Sequence, residues 1–167
     1  MLESLFRPKS AAVIGASSKE LSIGNRVIKN LIDFGFKGDI YPINPKADEI
    51  RGLKAYKSIM ECPDNIDVVH MVIPAKFVPM AMEDCGKKGV KNVIINSGGF
   101  SEVGPDGEAL EKEFLKIAGK YGIRGLRGYI RLARQFDMAD DERINMCRTA
   151  LETCQRQDER KLVLGVM

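Results

Sequence analysis

"AAVIGASSKELSIGNRVIKN" (residues 11–30) decides the fold. An apolar run over 11–14 stops at Gly15, gives way to small polar residues, and resumes with helical spacing at Ile23, Val27 and Leu31. Strand, loop and helix start follow one another in that order. A loop of this kind leaves the carboxyl end of a strand and gathers unpaired backbone N–H groups at the positive end of a helix dipole. Phosphate is its natural guest. Gly15 lets the backbone turn tightly and come close to the ligand, Ala16 is small, and Ser17 and Ser18 add hydroxyls. Ile23 and Asn25 stand at the helix entrance. The same residues could form a plain strand–helix turn whose serines cap the helix. Position at the first βα turn favours the ligand.

Outward from this stretch, strand and helix signals alternate through residue 125, the pattern of a parallel sheet covered on both faces. The expected class is α/β, a doubly wound parallel sheet. The first helix covers 22–34 and is broken by Gly35 and Gly38; "DIYPINP" (39–45) is a second strand, stopped by proline. "DVVHMVIPA" (67–75) is nearly all apolar and is expected to be a fully buried third strand. Val78, Ala81 and Cys85 recur at helical spacing, and Gly86 and Gly89 are expected to end that helix. "NVIINSGGF" (92–100) is a fourth strand running into a glycine loop. Leu110, Phe114, Ile117 and Tyr121 form the inner stripe of a further helix closed by Gly122, and "IRGL" (123–126) is a candidate fifth strand.

The pattern changes after Gly128. Ile144, Cys147, Leu151 and Cys154 make an apolar stripe on a helix over 139–155, with Asp137 or Asp140 as its cap, and 158–167 starts another helix. The expected division is a nucleotide-binding domain over 1–125 and a helical hairpin appendage over 126–167.

The first loop lacks the dinucleotide fingerprint GxGxxG, because the glycine after Gly15 is Gly24. An NAD site also asks for an acidic residue at the end of the second strand. That place reads "INPKAD", with Asn44, Pro45 and Lys46. A lysine there suits a ribose that is itself phosphorylated, as in NADP or coenzyme A. Two further loops leave the same sheet edge. "IPAKF" offers Ile73, Pro74 and the small Ala75; "NSGGFSEVG" offers Ser97, Gly98 and Gly99, whose amides can approach a ligand. Open α/β sheets bind their ligands where such loops converge.

Bulk properties exclude several classes. Among 167 residues, 26 Lys and Arg face 23 Asp and Glu, a formal net charge of +3, and the two signs interleave along the chain. That describes a solvated surface and no nucleic-acid footprint. No apolar stretch approaches the roughly 20 residues that span a bilayer. "MLESLFRPKS" has no apolar core and is not expected to be a signal peptide. Cys62, Cys85, Cys147 and Cys154 show neither a CxxC pair nor zinc-ligand spacing, so free thiols in a reducing cytoplasm, and no metal, are expected.

Taken together, "VIGASS…SIGNRVIKNL", "GDIYPINPKADEIRGLKAY", "VIPAKFVPMAMEDCGKKGVKNVIINSGGFSEVG" and "EKEFLKIAGKYGIR" resemble, in collinear order over about residues 1–124, the N-terminal CoA-binding domain of the NDP-forming acyl-CoA synthetases. That family includes the ADP-forming acetyl-CoA synthetases and is related to the succinyl-CoA synthetase alpha subunit. The resemblance implies a Rossmann-like fold and CoA or acyl-CoA as the ligand. Its phosphates would lie on the 15–18 loop, Lys46 near the phosphorylated adenosine, and the Pro74 and 97–99 loops beside nucleotide and pantetheine. It also implies an ATP-grasp domain or subunit as partner.

After "KYGIR" the family continues with a GPNC-type turn and a domain carrying a phosphorylated histidine; this chain reads "GLRGYIRLARQFDM". Its only histidine, His70, falls inside the third strand and is expected to be a packed or hydrogen-bonded core residue, so no catalytic residue is assigned. The expectation is a CoA-binding module that is catalytically incomplete alone. Two alternatives stand beside it: an NADP-dependent oxidoreductase-like domain, and a ligand-free structural or regulatory protein. The tail loosely resembles a unit of HEAT-like helical repeats, which stack on neighbours. Its apolar stripe is expected to be covered by the α/β domain or by a second copy in a homo-oligomer.

Overall fold

The computed structural model describes residues 3–63 and 65–123; the expected fifth strand beyond Ile123 and the whole helical tail lie outside them. After a short helix α1 (Glu3–Phe6), β1 (Ser10–Ile14) enters the middle of a four-stranded sheet. Its residues Ala11, Ala12 and Val13 are buried on both sides, and small or β-branched side chains suit that position. Helix α2 (Ile23–Asp33) follows, then β2 (Asp39–Ile43), a hairpin of β3 (Glu49–Ile50) and β4 (Leu53–Lys54), and β5 (Val68–Met71). Helix α3 (Val78–Lys88), β6 (Val93–Ile95) and α4 (Pro105–Tyr121) complete the described chain.

The sheet order is β2-β1-β5-β6 and every pairing is parallel. The register sets Ala12 between Tyr41 and Val69, and Ile14 between Ile43 and Met71. Neighbouring residues of a strand face opposite sides. Accordingly, Val13 packs with Ile28 of α2, Ile50 and Ala55, whereas Ala12, Val69 and Met71 pack with Val78, Met82 and Cys85 of α3. Leu110, Phe114 and Ile117 of α4 close over the second cluster, as their spacing requires. The described residues therefore form an α/β Rossmann-like domain with helices on both faces of a parallel sheet.

Several boundaries differ from the sequence expectation. Gly86 does not end α3: the helix continues to Lys88 and stops at Gly89, which is left-handed at φ 85°. Gly86 is instead the point where α4 crosses, and any side chain there would enter the Tyr121 ring. Glu83 ties the same crossing, accepting from Tyr121 Oη at 2.6 Å and Lys120 Nζ at 2.8 Å. β2, β5 and β6 are shorter than the expected 39–45, 67–75 and 92–100, because the last residues of those runs form the loops at the sheet edge. The β3–β4 hairpin was not expected at all. Its two-residue turn places Arg51 at φ 53° and Gly52 at φ 76°.

Cys62 and Cys85 are free and buried. Burial pushes their thiols up, to about 11 for Cys62 and about 12 for Cys85, so both are inert as nucleophiles at neutral pH. Among the described residues, no helix is long and apolar enough to cross a membrane.

Candidate functional site

Because all four strands run parallel, the loops that follow β1, β2, β5 and β6 emerge at one edge. The β1 loop is pressed tightly into place. Gly15 has φ 90°, its N–H donates to Ile43 O at 3.2 Å, and a side chain on it would strike the carbonyl of Val72. Gly24, one residue into α2, lies so close that a side chain there would strike the carbonyl of Gly15. The helix thus begins directly against the backbone of the loop. Ser22 caps it, its Oγ accepting from Asn25 N at 3.2 Å.

Side chains then tie the loop carbonyls inward. Asn25, only 2% exposed, donates from Nδ2 to Ser17 O at 2.7 Å, and its Oδ1 accepts from Arg51 Nε at 2.8 Å. Asn44 donates from Nδ2 to Ala16 O at 2.7 Å, while its Oδ1 accepts the N–H of Lys46 at 2.7 Å, an Asx turn that fixes the start of the lysine. Ser97 Oγ donates to Ile73 O at 2.5 Å, joining the β6 loop to the β5 loop. The N–H of Gly99 donates to Glu102 Oε1 at 2.5 Å. Backbone N–H groups of Gly99, Phe100 and Glu102 hold the Glu102 carboxyl below the usual carboxylate range. That folded-state pKa is depressed, so the contact holds the loop above the ordinary carboxylate range and is lost as pH falls through the lowered value.

The sequence candidates are therefore brought to one edge, but not all in the same capacity. Gly15, Ala16, Ser17 and Ser18 form the β1 loop itself. Ser17 Oγ accepts from Lys19 N at 3.1 Å. Ile23 is half exposed beside it. Asn25 and Asn44 spend their amides on loop carbonyls. Ile73 packs on the core, Pro74 starts the β5 loop, and Ala75 is buried where Gly99 passes, leaving 3.2 Å for a side chain on that glycine. Gly98 is open.

The charges are one-sided. The first turn of α2 has no acidic residue and instead carries Arg26, whereas the first turn of α4 carries Asp106 and Glu108. A cation at a helix N-terminus is unfavourable unless an anion joins it. Lys19, Arg26, Lys46 and Arg51 are all exposed, and none has an ion-pair partner among the described residues. Sequence reasoning missed Gly24, Arg51 and Glu102. The signal for Gly24 was its place at the helix start; Arg51 sits in a turn whose arms of two residues leave no readable pattern.

His70 sits on β5 between Val13 and Ile94, half-buried, with its Nε2 unpartnered among the described residues. Burial lowers its pKa. His70 was expected in the core, but it is only half-buried and lies outside both core clusters, and a hydrogen bond at Nε2 is not found among the described residues.

A parallel sheet whose loops converge at one edge, with a glycine-cradled helix start, defines a Rossmann-like domain. The model of the CoA binding domain matches residues 9–128, and the chain belongs to that family. It is 52% identical over 127 residues to the acetate–CoA ligase (ADP-forming) I subunit alpha of Pyrococcus furiosus, covering 74% of this chain and 28% of that subunit. The apo dinucleotide-forming acetyl-coenzyme A synthetase 1 of Ca. Korarchaeum cryptofilum matches with a TM-score of 0.71 and 45% identity, over 74% of this chain and 27% of that one. A conserved hypothetical protein of Pyrococcus furiosus is 30% identical with a TM-score of 0.58, over 70% of this chain and 90% of that one. The chain is thus homologous to one part of the ADP-forming ligases and spans under a third of the length of that ligase subunit.

Proposed function

We propose that this domain binds coenzyme A or an acyl-CoA at the carboxyl edge of its sheet, as the CoA-binding part of an ADP-forming acid–thiol ligase. The observation that carries this is the acid-free start of α2, cradled by Gly15 and Gly24, with Arg26 in its first turn and Arg51 tied to Asn25, neither of them ion-paired among the described residues. The amides of 15–18 and the Ser17 hydroxyl would hold the diphosphate. Lys46 would answer the phosphate on the ribose, and the β5 and β6 loops would flank the pantetheine. A ribose phosphate is what separates coenzyme A from NAD, and a lysine after β2 in place of an acid supports the phosphorylated ligand. Bound this way, CoA presents its thiol for acylation by chemistry supplied elsewhere: a phosphoryl-carrying histidine segment and an ATP-grasp partner, in the cytoplasm.

Calorimetric titration with CoA, acetyl-CoA, NADPH and ATP tests it. CoA and acetyl-CoA should bind, and CoA more tightly than NADPH. Tighter binding of NADPH would favour the oxidoreductase-like alternative, and no binding of any of the four would favour the ligand-free one.

The division at residue 125 belongs to the same proposal, with 126–167 as an assembly segment that pairs with a second copy. Supporting it is the apolar stripe of Ile144, Cys147, Leu151 and Cys154, since a stripe left open is unusual on a soluble monomer. Light scattering is expected to find the intact chain dimeric and a chain ending at Gly125 monomeric. A monomeric intact chain would remove the assembly role.

A further inference from the structure

The geometry points to Arg51 as a diphosphate-binding residue of this site, a role that rests on the CoA reading above. Arg51 occupies the first turn position between β3 and β4, at φ 53°. Asparagine, aspartate and glycine are the residues suited to that left-handed position; arginine is not. Its place is nevertheless well fixed. Ile50, 1% exposed, anchors the hairpin in the cluster that contains Ala16 and Ile28. Ala55 N donates to Asp48 O at 2.8 Å and closes the hairpin base.

From that turn the guanidinium donates through Nε to Asn25 Oδ1 at 2.8 Å, and the buried Asn25 donates in turn to Ser17 O at 2.7 Å. Two hydrogen bonds therefore connect Arg51 to the loop that would hold the diphosphate. The partner it has is a neutral amide, so its charge is uncompensated, and no carboxylate pairs with it among the described residues. Nε orients the fork while the terminal nitrogens have no protein partner among those residues. A guanidinium held at one edge keeps its other donors for bidentate binding of a phosphate.

The anchor also separates the jobs of the two cations. Lys46 starts from the Asn44 turn after β2, whereas Arg51 is tied to the first turn of α2 and to Ser17. Arg51 therefore binds the diphosphate that CoA and dephospho-CoA share, and Lys46 binds the ribose phosphate that only CoA has.

Titrating CoA and dephospho-CoA against the intact chain and its Arg51→Asn and Arg51→Lys variants tests this. Arg51→Asn should weaken both ligands by the same factor, about 10- to 100-fold, leaving their ratio unchanged. Arg51→Lys should recover part of the loss, since it restores charge without the fork. Asparagine suits the turn, so the melting temperature of Arg51→Asn should hold or rise; a merely structural arginine would not give lost affinity with retained stability. Wild-type affinity in Arg51→Asn overturns the proposal, and so does a loss confined to CoA, which would move Arg51 to the ribose phosphate. A wild-type chain that binds neither ligand overturns the CoA reading itself, and this role with it.

Discussion

Alanine at position 24 is expected to destabilise the domain by up to about 2 kcal/mol net and to abolish the proposed CoA binding, although alanine is the better helix former. A glycine-to-alanine change inside a helix ordinarily gains roughly 1 kcal/mol. At Gly24 the new methyl would meet the carbonyl of Gly15 and the Cα of Ala16, both backbone, so no rotamer change can relieve it. Overpacking of this kind costs about 1–3 kcal/mol. The helix must also withdraw from the loop whose amides it serves. Gly119 is the control: it lies on exposed α4 with nothing within 4 Å of a side chain placed there. Gly119→Ala should stabilise by up to about 1 kcal/mol and leave binding untouched. Urea melts of both variants, with calorimetry, read the two signs; equal stability of Gly24→Ala and wild type would show that the helix start is not tightly seated.

Lys46→Ala is expected to erase the preference for CoA over dephospho-CoA. An ordered charge-assisted contact contributes about 1.5–3 kcal/mol, or roughly 10- to 150-fold in affinity. Lys46 is exposed, so salt should narrow the wild-type ratio, and the lower part of that range is the expected one. The ratio is the measurement that matters, because a general loosening of the edge would weaken both ligands together. A Lys46→Ala variant that keeps the wild-type ratio would falsify the assignment of the ribose phosphate to this lysine.

Much of the sheet was legible because parallel strands buried on both faces leave long apolar runs, as in 67–75, and because helices such as α4 carry a stripe at their own period. The loops were legible as positions. Their inner wiring was not. Asn25 and Asn44 look like ligand residues in sequence, and only the fold reveals that their amides serve the carbonyls of Ser17 and Ala16. Gly86 and Gly24 resemble punctuation, yet each marks a close approach, to the Tyr121 ring in one case and to the Gly15 carbonyl in the other. Contacts between elements distant in sequence leave no local period. The β3–β4 hairpin was missed for another reason: arms of two residues are too short for alternation to show, and its turn carries Arg-Gly in place of Asn-Gly.

The inward-tied carbonyls have a consequence for how quickly a ligand is captured. Ala16, Ser17 and Ile73 already have their oxygens engaged by Asn44, Asn25 and Ser97, so the edge is set before anything arrives. Under the CoA reading, these three carbonyls need no reordering during the encounter, and little conformational entropy is lost in placing them. On that reading capture would be a matter of diffusion guided by charge, with Lys19, Arg26, Lys46 and Arg51 drawing the polyanion from a distance of about one Debye length. Such a domain would load its carrier fast and at low cost, and leave the slow steps of a reaction to the parts that move.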